Sequence, residues 1–266
     1  MSFVTWEKRW AWPDPNVTAV VQPNHAGLWW GTSFSVSGRW RRAGGTTVTW
    51  MPPTPPSSLP RRAVPALPRR AVPALPLWAV PAALLAPIGM IGGWTVAAAV
   101  QGEGFDPVRD TISALATQAA VAPAIMTAGL ALTAVGHVAS AVALRPAARP
   151  GRLLLAVGGV ATALVAALPV DAHPRAHGIS AAVAFGALSV WPAAAGRRGA
   201  NGPLSPVAGA VVTGGLLVLL GWFVVELQSV GSAGAATGLA ERAVAGAQSL
   251  VPLALVVALR LRSGRS

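Results

Sequence analysis

The sequence predicts an all-α membrane protein, a six-transmembrane-helix bundle that follows an N-terminal extension. Charged residues make up only 11% of the 266 residues and hydrophobic residues 53%, whereas a soluble domain carries about 25% charged residues. Six apolar runs succeed one another from Leu77 onward, and arginines are concentrated in every second connection between them. Low charge, apolar runs and alternating arginines together indicate a polytopic membrane protein.

Residues 1–76 differ from the rest of the chain. They contain seven of the eleven tryptophans and no apolar run of membrane-spanning length. The octapeptide RRAVPALP occurs at 61–68 and again at 69–76. Proline every few residues removes amide donors and breaks helices, and two such short copies cannot form a solenoid. We therefore expect 1–76 to be a low-complexity, disordered extension and 77–262 to be the transmembrane domain.

The six apolar runs are close to the 17–25 residues that a helix needs to cross a hydrocarbon core of about 30 Å. Open strands cannot replace these helices, because their unpaired amides would be buried in lipid. The second run is longer, and we expect its surplus to project as an amphipathic turn or to be absorbed by tilt. The runs are Trp78–Val100, Thr117–Leu144, Leu153–Val170, His177–Ala195, Val207–Leu227 and Leu239–Leu259.

The charges between the runs predict the topology. Twelve arginines and no acidic residue lie in the linker before the first run (51–76), in the second and fourth connections and after the sixth run. The other three connections, with the helix ends beside them, carry six acidic residues and three arginines. The positive-inside rule then places both termini in the cytoplasm and the acidic connections outside. We expect a bacterial cytoplasmic-membrane protein, since the arginine- and alanine-rich composition is typical of a GC-rich genome.

Composition also limits the partners. The chain has no cysteine, which excludes disulfides and thiolate metal sites. Its formal charge of +12 would suggest nucleic acid as the partner of a soluble protein, but here the arginines follow the membrane topology. We therefore expect membrane lipids as partners and no nucleic acid.

Residues inside the runs predict how the helices meet. Glycines recur in the first, third and fifth runs, for example at Gly89, Gly158 and Gly214. Small residues let helix backbones approach closely in lipid, where no hydrophobic effect drives association, so we expect a compact bundle. His137 lies alone in the inner part of the second run, and we expect it to hydrogen-bond to a neighbouring helix.

Two local signals concern helix starts. Pro174 suits the first position of the fourth helix, because its missing amide has no intrahelical partner there. His173 or Asp171 would then be the cap of that helix. Asp110 or Thr111 is expected to cap the second helix by accepting from its free amides.

The candidate site residues lie in or beside the three acidic connections. Because these connections are short and expected on one side of the membrane, their polar groups can converge over the mouth of the bundle. The candidates are Asp106, Arg109, Asp110 and Ser113 in the first acidic connection, Asp171, His173 and His177 in the second, and Glu241 and Arg242 in the third.

One interpretation of this cluster is a metal-dependent enzyme. Asp171, His173 and His177, with Asp106 or Asp110, would bind a divalent ion such as zinc, which activates water for lipid hydrolysis. Two histidines at i and i+4 share one helical face. The motif HPRAH, however, lacks the glutamate of HExxH, so it contains no general base.

A serine-type enzyme is the other catalytic interpretation. Ser113, with a histidine and an aspartate, would form a nucleophile set, although no nucleophile-elbow sequence surrounds Ser113. The catalytic candidates are Ser113, Asp171 and His177.

Two further interpretations need no reaction. In one, the cluster recognises a lipid or small amphiphile, with Arg109, Arg175 and Arg242 gripping phosphate or carboxylate. In the other, the carboxylates pair with those arginines and cap helices, and the protein is purely structural. The ligand-binding candidates are Asp106, Arg109, Asp110, Asp171, His177, Glu241 and Arg242.

Four segments resemble a bacterial membrane family catalogued as domain of unknown function 998. The segments are GGW at 92–94, FDPVRDTISALA at 105–116, LPVDAHPRAHGIS at 168–180 and GLAERAVAGAQSL at 238–250. The resemblance covers about residues 80–260 and implies six helices, with Asp171 and His177 as the principal pair and His173 as a cap. Ala116 stands where the family often has glycine. The matching positions are Phe105, Asp106, Pro107, Ser113, Asp171, His177, Gly238, Leu239 and Arg242.

No reaction is assigned to this family, so the expected function is inferred from the residues themselves. We expect recognition of a lipid or small amphiphile by a polar cap at the outer face, without a cofactor. A metal-dependent (zinc) or serine-type lipid hydrolase is the alternative, and a purely structural role is the third interpretation.

Overall fold

The structure, a computed structural model, describes residues 39–41, 47–49, 75–229 and 235–264. The chain divides into two units, residues 1–69 and 70–266. In the first unit, strands β1 (Arg39–Arg41) and β2 (Thr47–Thr49) pair antiparallel; the sequence did not predict them. The rest of the prediction for 1–76, including the tandem repeat, falls almost entirely outside the described residues.

The second unit contains six helices long and apolar enough to cross a membrane, counted over the described residues. This confirms the predicted six-helix membrane fold, whereas the cytoplasmic placement of the termini stays a prediction. We number the helices as spans in chain order. They are span 1 (Ala79–Ala99), span 2 (Pro123–Ala143), span 3 (Arg149–Ala167), span 4 (Pro174–Ala195), span 5 (Pro206–Gln228) and span 6 (Thr237–Ser263).

The spans form a closed ring, in which each packs against the next and span 6 returns to span 1. Short connections favour such antiparallel neighbours. One buried apolar cluster surrounds Trp191 and Leu155, and a second surrounds Leu115 and Met126. We call the end with connections 1–2, 3–4 and 5–6 the acidic end, and the other the arginine-rich end. The ring positions the polar residues of all three acidic connections around one mouth.

Span 2 begins at Pro123 rather than at Thr117. The residues before it form a 3₁₀ helix, Ser113–Ala116, followed by turns. The prediction that Asp110 or Thr111 caps span 2 is therefore wrong: the Thr111 hydroxyl accepts from the amide of Ala114, within the preceding turn. Pro123 starts the span instead, because a proline needs no amide partner in the first helical turn.

Glycines allow the closest approaches between spans. A Cβ on Gly129 of span 2 would lie 2.6 Å from the carbonyl oxygen of Gly89 in span 1, and a Cβ on Gly158 would lie 2.6 Å from Leu188 of span 4. Gly214 of span 5, by contrast, has nothing within 4 Å. The expected close packing therefore holds at Gly89 and Gly158 and is wrong at Gly214.

We expect Gly129→Ala to destabilise the protein by about 1–3 kcal/mol, because a methyl group there forces spans 1 and 2 apart. The matched control Gly214→Ala adds the same group to open space and should change stability by less than about 0.5 kcal/mol. Thermal unfolding of the two purified variants measures the difference. Equal melting temperatures would contradict the close contact between spans 1 and 2.

Candidate functional site

The loop between spans 1 and 2 (residues 100–122, the first loop) folds into the mouth of the bundle. Its residues Ile112, Leu115 and Ala116 are buried, and they join the apolar cluster that contains Met126 and Leu130 of span 2. The burial of these apolar side chains favours the inserted position of the loop. As a result, Ser113 lies inside the mouth of the bundle, half-buried.

The start of span 6 holds the first loop in place through its backbone. The amide of Gly238 donates to the carbonyl of Arg109 at 3.2 Å, and the amide of Leu239 donates to Val108 at 2.9 Å. These amides belong to the first helical turn, where no intrahelical acceptor exists. The loop therefore supplies the acceptors that the helix start lacks.

Arg242 adds a second attachment. Its Nη1 donates to the carbonyls of Pro107 at 2.7 Å and Asp110 at 2.8 Å. Its guanidinium also lies 5.6 Å from the centre of the Phe105 ring, within the range of a cation–π interaction. The arginine that the sequence offered as a ligand-binding group is thus engaged in fixing the loop.

The neighbouring Glu241 is buried, and its carboxylate lies against two groups of the first loop. Oε2 accepts from the amide of Ile112 at 2.5 Å, and Oε1 lies 3.5 Å from the hydroxyl oxygen of Ser113. A buried carboxylate is costly unless hydrogen bonds replace its hydration. The amide of Ile112 provides that compensation, and the contact brings Glu241 beside Ser113.

His177, at the start of span 4, completes the group. Its Nδ1 lies 2.8 Å from the carbonyl oxygen of Leu168, and its Nε2 lies 3.0 Å from the hydroxyl oxygen of Ser113. A carbonyl only accepts, so Nδ1 carries a proton; in the neutral ring Nε2 then accepts the proton of the Ser113 hydroxyl. Ser113, His177 and Glu241 together form what we call the polar cluster.

Other candidates lie outside the polar cluster. Asp171 accepts from the amide of Gln118 through Oδ2 at 2.8 Å, which ties the connection between spans 3 and 4 to the first loop. Asp110 accepts from the amide of Asp106 at 2.8 Å. Among the described residues the single ion pair joins Asp106 and Arg109, 3.6 Å apart and largely exposed. These carboxylates stabilise turns, and the expected general pairing with arginines is not formed.

The two histidines of the HxxxH motif lie in different surroundings. His173 is exposed at the capping position of span 4 and makes no capping bond with its side chain, whereas His177 is buried with both ring nitrogens in hydrogen bonds. Pro174 begins the span as predicted. Over the described ranges, no three His, Asp or Glu side chains come close enough to hold an ion. The geometry therefore lends the zinc alternative no support.

Below the polar cluster, a central cavity of about 40 Å³ extends into the bundle. Its walls are mostly apolar, with Leu130, Phe185 and Leu188 among them, and its lining includes polar residues of spans 2, 3 and 6. The cavity extends from the polar cluster to side chains deeper in the bundle.

Sequence reasoning missed the polar lining of this cavity. Gln248 donates to the carbonyl of Phe185 and to the hydroxyl of Ser189, both at 2.9 Å. His137 was expected to bond to a neighbouring helix, but its Nδ1 is buried without a partner among the described residues. The available signal was the presence of isolated polar residues within apolar runs, which often face a cavity or a functional site.

Replacing Glu241 tests whether its carboxylate anchors the first loop to span 6. Glu241→Ala leaves the buried amide of Ile112 without its acceptor, which should cost about 1–3 kcal/mol; Glu241→Gln keeps an acceptor oxygen and should cost less. The control is Glu103→Ala, at an exposed position of the same loop. Thermal unfolding compares the three variants, and a Glu241→Ala protein as stable as Glu103→Ala would refute the anchoring role.

Residues 80–258 match the family described as "Protein of unknown function (DUF998)". No curated protein and no solved structure matches the chain. The match confirms the resemblance found in the first loop and in LPVDAHPRAHGIS, and it extends over all six spans except the ends of the first and last. Since it covers more than half of the 266 residues, the chain belongs to this family of membrane proteins.

Proposed function

We propose that the protein recognises a lipid or another small amphiphile at the polar cluster and the central cavity. The observation that carries the proposal is that Ser113 and Glu241 line a cavity with apolar walls, while His177 lies 3.0 Å from the Ser113 hydroxyl. Ligand sites commonly combine an apolar lining with a few convergent polar groups. An amphiphile matches both parts of such a site.

The size of the cavity limits what enters it. About 40 Å³ is room for a few water molecules, so only one end of a ligand fits. We assign the hydrogen-bonding end of the ligand to the polar cluster, and its remaining chain to the space between helices and the surrounding bilayer.

The charges around the cluster select the class of ligand. Glu241 is an acceptor, and Arg242 is engaged by the first loop, while Arg109 pairs with Asp106 in solvent. A phosphate at the cluster would face the carboxylate of Glu241, and the described cation beside it, Arg242, has Nη1 bound to loop carbonyls and Nη2 buried. A neutral end that carries a hydroxyl, amide or ester group is therefore the better match.

Photo-crosslinking tests this proposal. A monoacylglycerol with a diazirine directly beside its ester group, incorporated into phosphatidylcholine nanodiscs with the full-length protein, should label residues of the cavity wall such as Phe185. Ser113→Ala and His177→Gln should each reduce the labelling about tenfold, because one hydrogen bond contributes about 1.4 kcal/mol.

The control for this experiment is Asp171→Asn, at the same end of the bundle but outside the polar cluster. It should leave labelling of the cavity wall unchanged. Labelling that is absent from the wall, or equal in all four proteins, would refute recognition at this site.

A second candidate function, serine-type hydrolysis of an ester, is favoured by one distance. Ser113 Oγ lies 3.0 Å from His177 Nε2, and the carbonyl of Leu168 fixes the ring that would act as base. This is the arrangement of nucleophile, base and orienting group used in covalent catalysis. His177 would take the hydroxyl proton as Oγ attacks the ester carbonyl and return it to the departing alcohol; water would then cleave the acyl–serine ester.

A fluorophosphonate probe distinguishes this reaction from binding alone. If Ser113 is an activated nucleophile, it displaces fluoride and becomes covalently labelled; Ser113→Ala should abolish the label and His177→Gln should reduce it at least about a hundredfold. Ser180→Ala, at another buried serine of the acidic end, should keep it. A folded wild type that remains unlabelled would exclude the hydrolase and leave the recognition proposal standing.

A further inference from the structure

The arginine-rich end of the bundle has a charge distribution unlike that of the acidic end. In residues 144–152, 196–205 and 260–264, arginine is the only type of charged residue. The ion pair that the described part of the chain contains lies at the acidic end, between Asp106 and Arg109. The positive charge of the arginine-rich end is therefore not neutralised by the described residues.

Two of these arginines donate to backbone carbonyls. Arg152 Nε donates to the carbonyl of Ala141 at 2.8 Å, in the last turn of span 2, where carbonyls lack intrahelical donors. Arg197 Nη1 donates at 3.2 Å to the carbonyl of Pro146, in the connection between spans 2 and 3. These two arginines thus have a structural role that accounts for their position.

Arg198 and Arg262 have no such role. Neither side chain makes a hydrogen bond or an ion pair with another residue in the described ranges, and both are exposed. They lie instead on a pocket of about 500 Å³ between the connections 2–3 and 4–5 and the end of span 6. We call it the basic pocket; its lining includes Arg197, Asn201 and Leu259 besides these two arginines.

The backbone of the basic pocket is shaped around Arg262. Gly202 has a φ of +79°, a conformation that favours glycine, and a Cβ there would overlap the guanidinium of Arg262. The absence of a side chain at Gly202 lets the guanidinium lie against the turn. The guanidinium of Arg262 thus lies against the turn that forms one wall of the basic pocket.

We propose that the basic pocket binds a phosphate group, supplied by the headgroup of an anionic phospholipid or by free phosphate. Arginine is suited to phosphate because its planar donors match the oxygens and its charge is permanent. Basic pockets between transmembrane helices bind anionic headgroups, and Leu259 offers an apolar contact beside the charges. This site lies at the opposite end from the polar cluster, so it stands independently of the proposed function.

Lipid binding to the purified full-length protein tests the proposal. Native mass spectrometry with phosphatidylglycerol and phosphatidylcholine should show a preference for phosphatidylglycerol. The double variant Arg198→Gln/Arg262→Gln should weaken phosphatidylglycerol binding about tenfold or more. The control Arg145→Gln/Arg149→Gln removes the same charge from the same end outside the pocket and should change binding less than about threefold.

A variant that keeps every charge strengthens the test. Gly202→Ala displaces the guanidinium of Arg262 and should also weaken phosphatidylglycerol binding. Titration with inorganic phosphate identifies the source: competition at millimolar phosphate indicates that the phosphate group alone suffices, and lipid preference without competition indicates an anionic headgroup.

Three results would overturn the proposal. One is the absence of any preference for phosphatidylglycerol together with no binding of inorganic phosphate. The second is an equal loss in the two double variants, which would mean general attraction to the arginine-rich end. The third is full binding by both the double variant and Gly202→Ala while their melting temperatures match that of the wild type.

Discussion

The attachment of the first loop to the start of span 6 is the interaction on which the site depends. Glu241 accepts from the amide of Ile112, and Arg242 donates to the carbonyls of Pro107 and Asp110. Both ends of this contact gain partners. The buried carboxylate of Glu241 loses its hydration and accepts from the amide of Ile112 instead, and the carbonyls of Pro107 and Asp110 gain a donor. Because Ser113 follows Ile112 directly, the same contact determines that the hydroxyl meets His177.

Few polar groups determine how the helices pack inside the bundle, and the bilayer explains why. In lipid, helices gain nothing from the hydrophobic effect when they associate, so close packing and internal hydrogen bonds decide the arrangement. Gly89 and Gly129 let spans 1 and 2 approach closely. Gln248 of span 6 donates a hydrogen bond to span 4. The ring leaves a central cavity, and its lining includes the polar residues His137, Thr162 and Gln248 of the spans. His137, which lines this cavity, has a buried Nδ1 that is among the side-chain polar atoms without a hydrogen-bond partner in the described part of the chain.

The six spans could be predicted from the sequence because each carries its own signal, a long apolar run with few charges. The start of span 2 could not, because Thr117–Ala122 is as apolar as a helix and only the proline at 123 marks the boundary. The sequence also supplied Ser113 and His177 as separate candidates. It could not supply their contact with Glu241, since Ser113 and Glu241 are 128 positions apart and meet only after the loop inserts. The family resemblance implied Asp171 as the partner of His177, whereas the structure bonds Asp171 to the amide of Gln118 and places Ser113 beside His177.

The two ends of the bundle differ in the ligand chemistry they permit, and electrostatics gives the reason. At the acidic end, Nη1 of Arg242 is engaged by loop carbonyls, and a phosphate at the polar cluster would face the carboxylate of Glu241. At the arginine-rich end, Arg198 and Arg262 line a wider pocket without a described acid nearby. A neutral hydrogen-bonding group is therefore compatible with the polar cluster and an anionic group with the basic pocket. If the polar cluster were to bind an anionic group, a buried charge would remain unpaired there. If the basic pocket were to favour a neutral group, its two arginines would have to be neutralised.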